Sequence, residues 1–484
     1  MPAIESSESK TTAFLEGRSR SALSPLAPPS VHAQGLPHGR LPFGFGRRFL
    51  LALLLGLIWL IPAWWSPRLI AAMFLWDAAV IAAWWADLLR LPAPLHLEAS
   101  RIWGLPLTLA QPSAVAIEMR SSGRVAVSAA LIDEIPLALR DEPPSLNLTV
   151  SPAETVRQNY DVLPRERGDL EVGRLFVRYQ TALGLAERWA VFPLSQTVRA
   201  LPALPRATGQ PLHLIRSRQF EMEKRRKRQA GLGREFEALR EYRPGDDLRD
   251  VCWTATARRR QLITRTFQVE RSQTVWLVVD AGRLLRARVK EEGRTFRLTK
   301  LDYAVNAALS LAQIATQSGD RAGLVAYGRA IQQTVGAGRG PLHIRALIEA
   351  LAQIRGEAAE ADHARAVRVL LRKQTRRALI VWITDFAETP TTPEVIEYAT
   401  HMSGRHLVLF AALSQPDLSA LARAIPQSEE EMFQHAAALE VIERRETLLR
   451  KLREQGVLTV DVTPGALEPR LINQYLEIKD RSLL

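Results

Sequence analysis

Four aspartates stand where carboxylates could do chemistry. Asp246 and Asp247 are adjacent and follow the dipeptide Pro244–Gly245, whereas Asp280 and Asp385 each end an apolar stretch typical of a buried strand. Two neighbouring carboxylates can act as general acid and base, and strand-end carboxylates can hold Mg²⁺ with the help of hydroxyl groups and water. The four residues therefore predict a hydrolytic site, a metal site or a set of structural ion pairs.

The surroundings of the adjacent pair favour the structural interpretation. Pro and Gly are the residues that a tight turn prefers. Four arginines lie close to the pair in sequence: Arg240, Arg243, Arg249 and Arg258. Charge-assisted Arg–carboxylate pairs would fix this loop, and the stretch from Gly231 to Asp280 contains no histidine or activated nucleophile. We therefore expect docking or structural locking here rather than catalysis.

The two strand-end aspartates leave two interpretations open. They could bind Mg²⁺, with Asp302 and Asp362 as further carboxylates nearby in sequence. They could instead cap the next helix or pair with a local arginine. We expect no cofactor, and Mg²⁺ at Asp280 and Asp385 is the alternative.

Other motifs exclude several classes of protein. Gly231-x-Gly233 is too short for a dinucleotide-binding fingerprint, and no phosphate-binding loop of the Gly-x-x-x-x-Gly-Lys-Ser/Thr type occurs. The chain therefore carries no recognisable ATPase of its own. Cys252 is the single cysteine, so neither an intramolecular disulfide nor a zinc cluster of cysteines can form. We expect Cys252 to be a small core residue.

The charge balance predicts an anionic partner. The 484 residues carry a formal net charge of +13, and seven basic residues lie between Arg216 and Arg228. Such a segment suits anionic lipid or an acidic protein. No helix-turn-helix, zinc finger or RNA-reading motif is present, so we expect no nucleic acid. A membrane-tethered nucleic-acid binder that uses Lys224 to Arg228 is the alternative.

Two apolar runs near the amino end predict a membrane anchor. We assign residues 1–45 to a disordered tail and residues 46–90 to a transmembrane hairpin of two helices. Tryptophan pairs end the two runs, as in interfacial aromatic belts. Arg47 and Arg48 precede the first run, so both termini are expected in the cytoplasm of a bacterium, with two passes through the inner membrane. Asp77, within the second run, marks a contact with another helix or a partner, or is a protonated or helix-capped structural residue.

The remaining chain divides by its hydrophobic pattern. Short alternating runs over residues 91–200 predict a small β-sandwich, within which the sequon at Asn147 is a plain strand segment. Residues 201–272 are a linker followed by the segment of the adjacent aspartates. From residue 273 to 484, apolar strands alternate with amphipathic helices. The fold class is therefore α/β, with a doubly wound, largely parallel sheet in this last domain.

The last domain resembles the von Willebrand factor type A domain. The resemblance rests on Asp280 at the end of a strand and on Thr384–Asp385 at the end of a later one. The metal-ion-dependent adhesion site of that family uses Asp-x-Ser-x-Ser. Here the sequence from Asp280 reads Asp-Ala-Gly-Arg-Leu, so both serines are lost. The resemblance implies a degenerate site at Asp280 and Asp385, without metal.

A longer pattern resembles the hallmark of the DUF58 family and covers the chain from about Leu41 to its end. We call residues 231–271 the hallmark segment. The residues that carry the resemblance are Gly231, Gly233, Glu235, Phe236, Leu239, Arg240, Tyr242, Pro244, Gly245, Asp246, Asp247, Arg249, Trp253, Ala257, Arg258, Glu270 and Arg271. Members of that family are thought to work with MoxR-type AAA+ ATPases in assembly, maturation or envelope stress. The resemblance therefore implies a role in partner binding for the hallmark residues.

Together, these patterns predict a membrane-anchored cytoplasmic scaffold or adaptor rather than an enzyme. Its expected partners are a MoxR-type AAA+ ATPase and, through residues 46–90, membrane lipid. The sequence makes no prediction about the oligomeric state. A metal-dependent hydrolase using Asp280, Asp385 and the Asp246/Asp247 pair is the alternative function.

Overall fold

The structure is a computed structural model that describes residues 28–39, 42–63, 68–104, 106–203, 235–243, 246–268, 272–290, 296–385 and 392–481. The chain divides into two compact units, Met1–Ala203 and Leu204–Leu484. The basic segment Arg216–Arg228 lies outside the described residues, so its predicted role stays a prediction.

Twelve strands in the described part of the first unit form antiparallel pairs. In chain order they are β1 (Val31–Gln34), β2 (Leu36–Pro37), β3 (Phe43–Phe45), β4 (Leu97–Trp103), β5 (Ser113–Ser121), β6 (Val127–Asp133), β7 (Ser145–Val150), β8 (Thr155–Val162), β9 (Gly168–Val172), β10 (Leu175–Gln180), β11 (Ala186–Phe192) and β12 (Gln196–Ala200). One sheet has the order β1-β4-β5-β8 and another β2-β11-β10-β6-β7, with β3 also paired to β11. Strands β9 and β12 pair with each other.

Alternation of side chains builds the core of this unit. In β5, for example, Val115, Ile117 and Met119 are fully buried, while Ala114 and Arg120 face solvent. Buried residues of the two larger sheets belong to one hydrophobic cluster. Asn147, the sequon residue, is exposed on β7, as a plain strand segment requires.

Part of the stretch predicted as a disordered tail is ordered. Strand β1 pairs with β4, β2 pairs with β11, and β3 pairs with β11. The sequence between Val31 and Phe45 is short and rich in Gly and Pro, so it shows no strand pattern by itself. Its strands exist because the edges of larger sheets offer unpaired backbone groups.

Helices follow β3 at once. They are α1 (Arg47–Gly56), a 3₁₀ turn (Leu57–Trp59), α2 (Leu60–Ala63) and α3 (Arg68–Arg90). Among the described residues, Ile70–Arg90 is the one helix long and apolar enough to cross a membrane. The first run is interrupted by its 3₁₀ turn, so the predicted transmembrane hairpin of two helices is not confirmed. Membrane association has weak support from the single apolar helix.

Asp87 anchors the end of α3 to the strands of its unit. Its carboxylate accepts hydrogen bonds from the Thr181 hydroxyl and from the backbone N–H groups of Leu185 and Ala186. The Trp84 side chain packs in the same core cluster. Nearer the start of α3, one carboxylate oxygen of Asp77 lies close to Gly56 of α1, with no room for a larger residue at Gly56. Asp77 therefore lies at a contact between the two helices.

The described part of the second unit starts with an antiparallel pair of strands, β13 and β14, and continues as an α/β domain. The strands are β13 (Glu235–Glu241), β14 (Ile263–Gln268), β15 (Thr274–Asp280), β16 (Arg288–Val289), β17 (Leu298–Thr299), β18 (Arg321–Tyr327), β19 (Ile331–Gly338), β20 (Leu379–Thr384), β21 (Leu407–Leu413) and β22 (Leu458–Val462). The helices are α4 (Trp253–Arg259), α5 (Lys300–Gln317), α6 (Pro341–Ala352), α7 (His363–Lys373), α8 (Thr392–Ser403), α9 (Pro416–Leu421), α10 (Glu429–Glu454) and α11 (Pro464–Asp480).

The main sheet of this unit has the order β19-β18-β15-β20-β21-β22. All neighbours are parallel except β18 and β19. Numbered along the chain, the six strands take the order 3-2-1-4-5-6, in which the direction of winding reverses between β15 and β20. Strand β20 is buried at every position, as expected for a central parallel strand. The reversal places the ends of β15 and β20 side by side.

Candidate functional site

Asp280 and Thr384 meet at the carboxyl edge of the sheet, where a ligand crevice is expected in this topology. The Thr384 hydroxyl donates to one carboxylate oxygen of Asp280 at 2.6 Å, and the backbone N–H of Gly282 donates to the other at 2.7 Å. Asp280 is 4% exposed. Burial raises the pKa of Asp280 above its ordinary value. Both oxygens of this carboxylate are therefore engaged within the protein.

Asp385 lies beside this pair and is held by two cations. Lys300 Nζ donates to one carboxylate oxygen at 2.6 Å, and Arg445 Nη1 donates to the other at 2.6 Å. Arg445 also binds Asp461, at the end of β22, at 2.8 Å. The side chains of Lys300 and Asp385 are 2% and 8% exposed. We call Lys300, Asp385, Arg445 and Asp461 the strand-end cluster.

Local features of two helices position the cations. Lys300 is the first residue of α5, whose start is fixed by a capping box between Thr299 and Asp302. Arg445 lies on the buried face of α10, together with Ala438, Leu449 and Leu452. The one sequence signal that could have identified Arg445 as a buried ion-pair residue is its position among the apolar residues of the buried helix face. Lys300 gives no such signal, because its partner is 85 residues away.

A second group of polar side chains lies near Asp280 and consists of Trp382, Tyr327 and His363. The Trp382 indole donates to the Tyr327 hydroxyl oxygen at 2.6 Å, and that oxygen lies 2.9 Å from Nδ1 of His363. Since Trp382 can only donate, the hydrogen of Tyr327 is available to Nδ1. Burial lowers the pKa of His363 despite the nearby carboxylates, which agrees with a neutral imidazole that accepts from Tyr327.

These donors do not fit a divalent cation. Mg²⁺ requires carboxylate oxygens that point to a shared position. Here Asp280 is used by Thr384 and Gly282, and Asp385 by Lys300 and Arg445. No group of three or more His, Cys, Asp or Glu residues suited to a metal occurs within the described ranges. The arrangement supplies buried ion pairs and hydrogen bonds instead.

The two further carboxylates of the sequence analysis are helix caps. Asp302 accepts from the backbone N–H and the hydroxyl of Thr299. Asp362 accepts from the backbone N–H of Arg365 at 2.8 Å and forms an ion pair with the same residue. Neither shares a ligand position with Asp280.

In the hallmark segment, Asp246 fixes the loop between β13 and α4. Its carboxylate accepts from Nη2 of Arg240 at 2.6 Å and from the backbone N–H of Arg243 at 2.9 Å. The hydrogen bond from the Arg243 backbone, together with Arg240, lowers the pKa of Asp246. This is the Arg–carboxylate lock that the sequence predicts.

Asp247 has a different role from the predicted ion pair. It begins a 3₁₀ turn, Leu248–Asp250, and accepts from the backbone N–H of Arg249 at 3.0 Å. The side chain of Arg249 is exposed. The adjacent carboxylates therefore serve separate local structures.

The chain then turns through α4 back into β14. Val251, Cys252 and Ile263 are buried, so Cys252 is a small core residue as predicted. Hydrogen bonding by Thr254 and the Ala255 backbone lowers the pKa of Cys252 to about 7. Arg260 ends α4 in the left-handed conformation, with φ of 55°.

Other residues of this segment are exposed, and they are both apolar and basic. Trp253 and Leu248 are 66% and 64% exposed. The arginines at positions 249, 258, 259, 260 and 265 are also exposed. We call these seven residues the hallmark surface. Tryptophan and arginine are both enriched in protein interfaces. The exposure of Trp253 was not predicted from the sequence.

Several predicted residues cannot be placed. Gly231, Gly233, Pro244 and Gly245 lie outside the described residues, and Glu235 is described only as a strand residue. Tyr242 is half-buried, and its backbone N–H donates to Leu262 O at 2.9 Å. Asp280 and Asp385 are brought together at the sheet edge.

Comparison with curated proteins finds two kinds of relative. An uncharacterized protein of Mycobacterium tuberculosis is 32% identical over 158 residues, which cover 32% of this chain and 48% of that protein. The uncharacterized protein YeaD of Bacillus subtilis is 23% identical over 274 residues, 55% of this chain and 61% of YeaD. The chain thus spans about half to three-fifths of the length of these relatives.

A solved structure, the conserved hypothetical protein BatB of Bacteroides thetaiotaomicron, matches at 12% identity with a TM-score of 0.30, and covers 43% of this chain and 100% of that chain. At this level the match does not define the fold. The family described as "Protein of unknown function DUF58" matches residues 238–432. The matched region includes all seven residues of the hallmark surface and both strand-end aspartates, so this part of the chain is similar to the DUF58 family.

Proposed function

We propose that this protein is a membrane-anchored interaction scaffold of the bacterial inner membrane, and that the hallmark surface binds an acidic partner protein. The observation that carries the proposal is the exposure of Trp253 and Leu248 in a segment that also exposes five arginines. Trp and Arg dominate the binding energy of many interfaces, because Trp supplies a large apolar area and Arg supplies charge. An isolated monomer gains nothing from leaving Trp253 in water.

The carboxylates of this unit are hydrogen-bonded within the protein, and this supports binding rather than catalysis as its function. Asp246, Asp280 and Asp385 each accept hydrogen bonds from protein donors at both oxygens. These protein donors compete with a substrate proton or a metal ion for the same carboxylates. The proposal therefore assigns these residues to fixing the domain that presents the hallmark surface.

The second unit of this scaffold is proposed to be a von Willebrand A-like domain. The strand order 3-2-1-4-5-6 and the position of Asp280 and Asp385 at the strand ends support this proposal. A MoxR-type AAA+ ATPase is the proposed partner, on the resemblance to DUF58 proteins. An acidic surface on that ATPase would complement the hallmark arginines.

The anchor is proposed to be a two-pass hairpin with both termini in the cytoplasm. Exposed apolar side chains such as Leu54, Ile58 and Phe74 support insertion into lipid, because a soluble helix pair would bury them. The chain enters α1 directly after β3, and α3 returns to the same unit at Asp87. Arg47 and Arg48 at the entry favour the cytoplasmic side.

The test is recovery of the ATPase with the full-length protein from native membranes in detergent. With a hydrolysis-blocked ATPase, Trp253→Ala is expected to reduce recovery about tenfold, as loss of an interface hot spot does. Leu342→Ala is the matched control, because Leu342 is 84% exposed on α6, outside the hallmark surface. Equal recovery with both variants, or no ATPase with the wild type, would contradict the proposal.

A further inference from the structure

A second exposed surface lies elsewhere in the second unit, at α9 and the first half of α10. Ile425, Phe433 and Met432 are 82%, 70% and 59% exposed. His435 Nδ1 lies 3.0 Å from Leu421 O, and this contact joins the two helices. We call residues 421–443 the acidic projection. Three large apolar side chains in water on one short segment are typical of a protein interface.

The charge of the acidic projection is the opposite of that of the hallmark surface. Glu429, Glu430 and Glu431 open α10, and Glu440 and Glu443 follow on the same helix. Of these, Glu440 forms an ion pair with Arg444, the next residue after the projection. All five are exposed. Arg423 is the exposed arginine between α9 and α10. A partner for this surface must therefore combine positive charge with exposed apolar groups.

The chain itself contains a surface with that chemistry. The hallmark surface offers Trp253 and Leu248 for the apolar residues, and five exposed arginines for the glutamates. We infer that the acidic projection of one copy binds the hallmark surface of a second copy. The two surfaces differ, so the contact is heterologous, and repetition yields a row or ring of copies rather than a closed two-fold dimer.

Attachment to a membrane would favour this contact. Copies held on one bilayer are confined to a layer, and this confinement raises their effective concentration. The inference rests on the proposed function in one respect: it takes the hallmark surface as a binding surface. A second copy and the ATPase would then compete for Trp253 and its arginines. Association of copies and recovery of the ATPase are nevertheless separate measurements.

The experiment co-expresses two differently tagged full-length copies and measures how much of one is purified with the other. Variant A carries Arg258→Glu and Arg259→Glu, and variant B carries Glu429→Lys and Glu430→Lys. Copies of A alone, or of B alone, face like charges, and co-purification is expected to fall about tenfold or more. A mixed with B keeps one native contact and gains one reversed contact, so it is expected to associate.

Two controls separate this result from damage to the fold. Arg372→Glu with Lys373→Glu reverses two exposed charges on α7 and is expected to leave co-purification unchanged. Phe433→Ala changes no charge and is expected to weaken association. If A and B each associate with themselves as the wild type does, the inference is wrong. It is also wrong if A and B melt like the wild type but fail to associate with each other, as a different basic occupant of the projection would predict.

If variant A loses ATPase recovery but keeps self-association, the contact between copies is wrong, while the proposed function stands. If variant A loses self-association but recovers the ATPase normally, the contact between copies stands, and the hallmark surface is not the binding site of the ATPase.

Discussion

Asp385 and Asp246, both in the second unit, each have an arginine partner, but the two ion pairs differ in burial. In the strand-end cluster, Asp385 and Arg445 are 8% and 10% exposed, and the partners are 60 residues apart. In the hallmark segment, Asp246 and Arg240 are 17% and 38% exposed and only six residues apart. Removing one member of a buried pair leaves an uncompensated charge, whereas an exposed pair contributes little to stability. The buried cluster fixes the sheet edge, and the exposed segment keeps its side chains accessible to a partner.

The largest expected effect is that of Asp385→Ala. Lys300 and Arg445 would face each other without a carboxylate between them, and the predicted loss of stability is about 3–5 kcal/mol. Hydrogen exchange of β20 in the full-length protein measures this loss as faster exchange of its amides.

A double variant sharpens that prediction. Lys300→Met with Asp385→Leu removes the buried ammonium together with its carboxylate, and Arg445 keeps Asp461 as a partner. Because no unpaired charge remains on the Lys300 side, the loss should be smaller than for Asp385→Ala alone. A larger loss in the double variant would show that the ion pair is not what holds this edge.

A smaller effect is expected for Thr384→Val. This substitution keeps the shape of the side chain and removes the hydroxyl that donates to Asp280. A buried acceptor without its donor costs about 1–3 kcal/mol, again measured by hydrogen exchange of β20. Thr316→Val on α5 is the control, because its hydroxyl bonds only to carbonyls of its own helix and its loss should have little effect.

The smallest effect is expected for Asp246→Asn, whose ion pair is open to solvent. The folded-state pKa of Asp246 is lowered from 3.8, so its carboxylate stabilises the loop above that pH, and the contribution is lost as the pH falls through the lowered value. Hydrogen exchange of β14 should therefore differ slightly between wild type and variant at neutral pH and not at all in strong acid. If Asp246→Asn had an effect as large as that of Asp385→Ala, the strand-end cluster and the hallmark segment would not differ in how much their ion pairs stabilise the fold.

Much of the second unit is predictable from its sequence because the signal is local. The apolar run that ends at Asp280 is strand β15, and the amphipathic sequence from Lys300 to Gln317 is α5. Strand β19 (Ile331–Gly338) was not predicted. It is an antiparallel edge strand without an apolar run, and it forms by pairing with β18.

The hallmark segment shows the same division. Pairing of Arg240 with Asp246 follows from their short separation, and the burial of Cys252 follows from its residue type. The exposure of Trp253 was not predicted, because an aromatic residue is usually buried and only packing decides which face of a short helix is covered.

By itself, the sequence determined the apolar strands and amphipathic helices of the α/β domain other than β19, the local lock of the hallmark loop, the apolar character of α3 and the resemblance to DUF58 proteins. Tertiary structure alone decided that Lys300 and Arg445 meet Asp385, that Asp87 ties α3 to its unit, and that Trp253 is uncovered. The physical reason is range. Hydrophobic period, turns and caps act over a few residues, whereas a buried charge must be paired by whichever residue the fold brings to it, however distant in sequence.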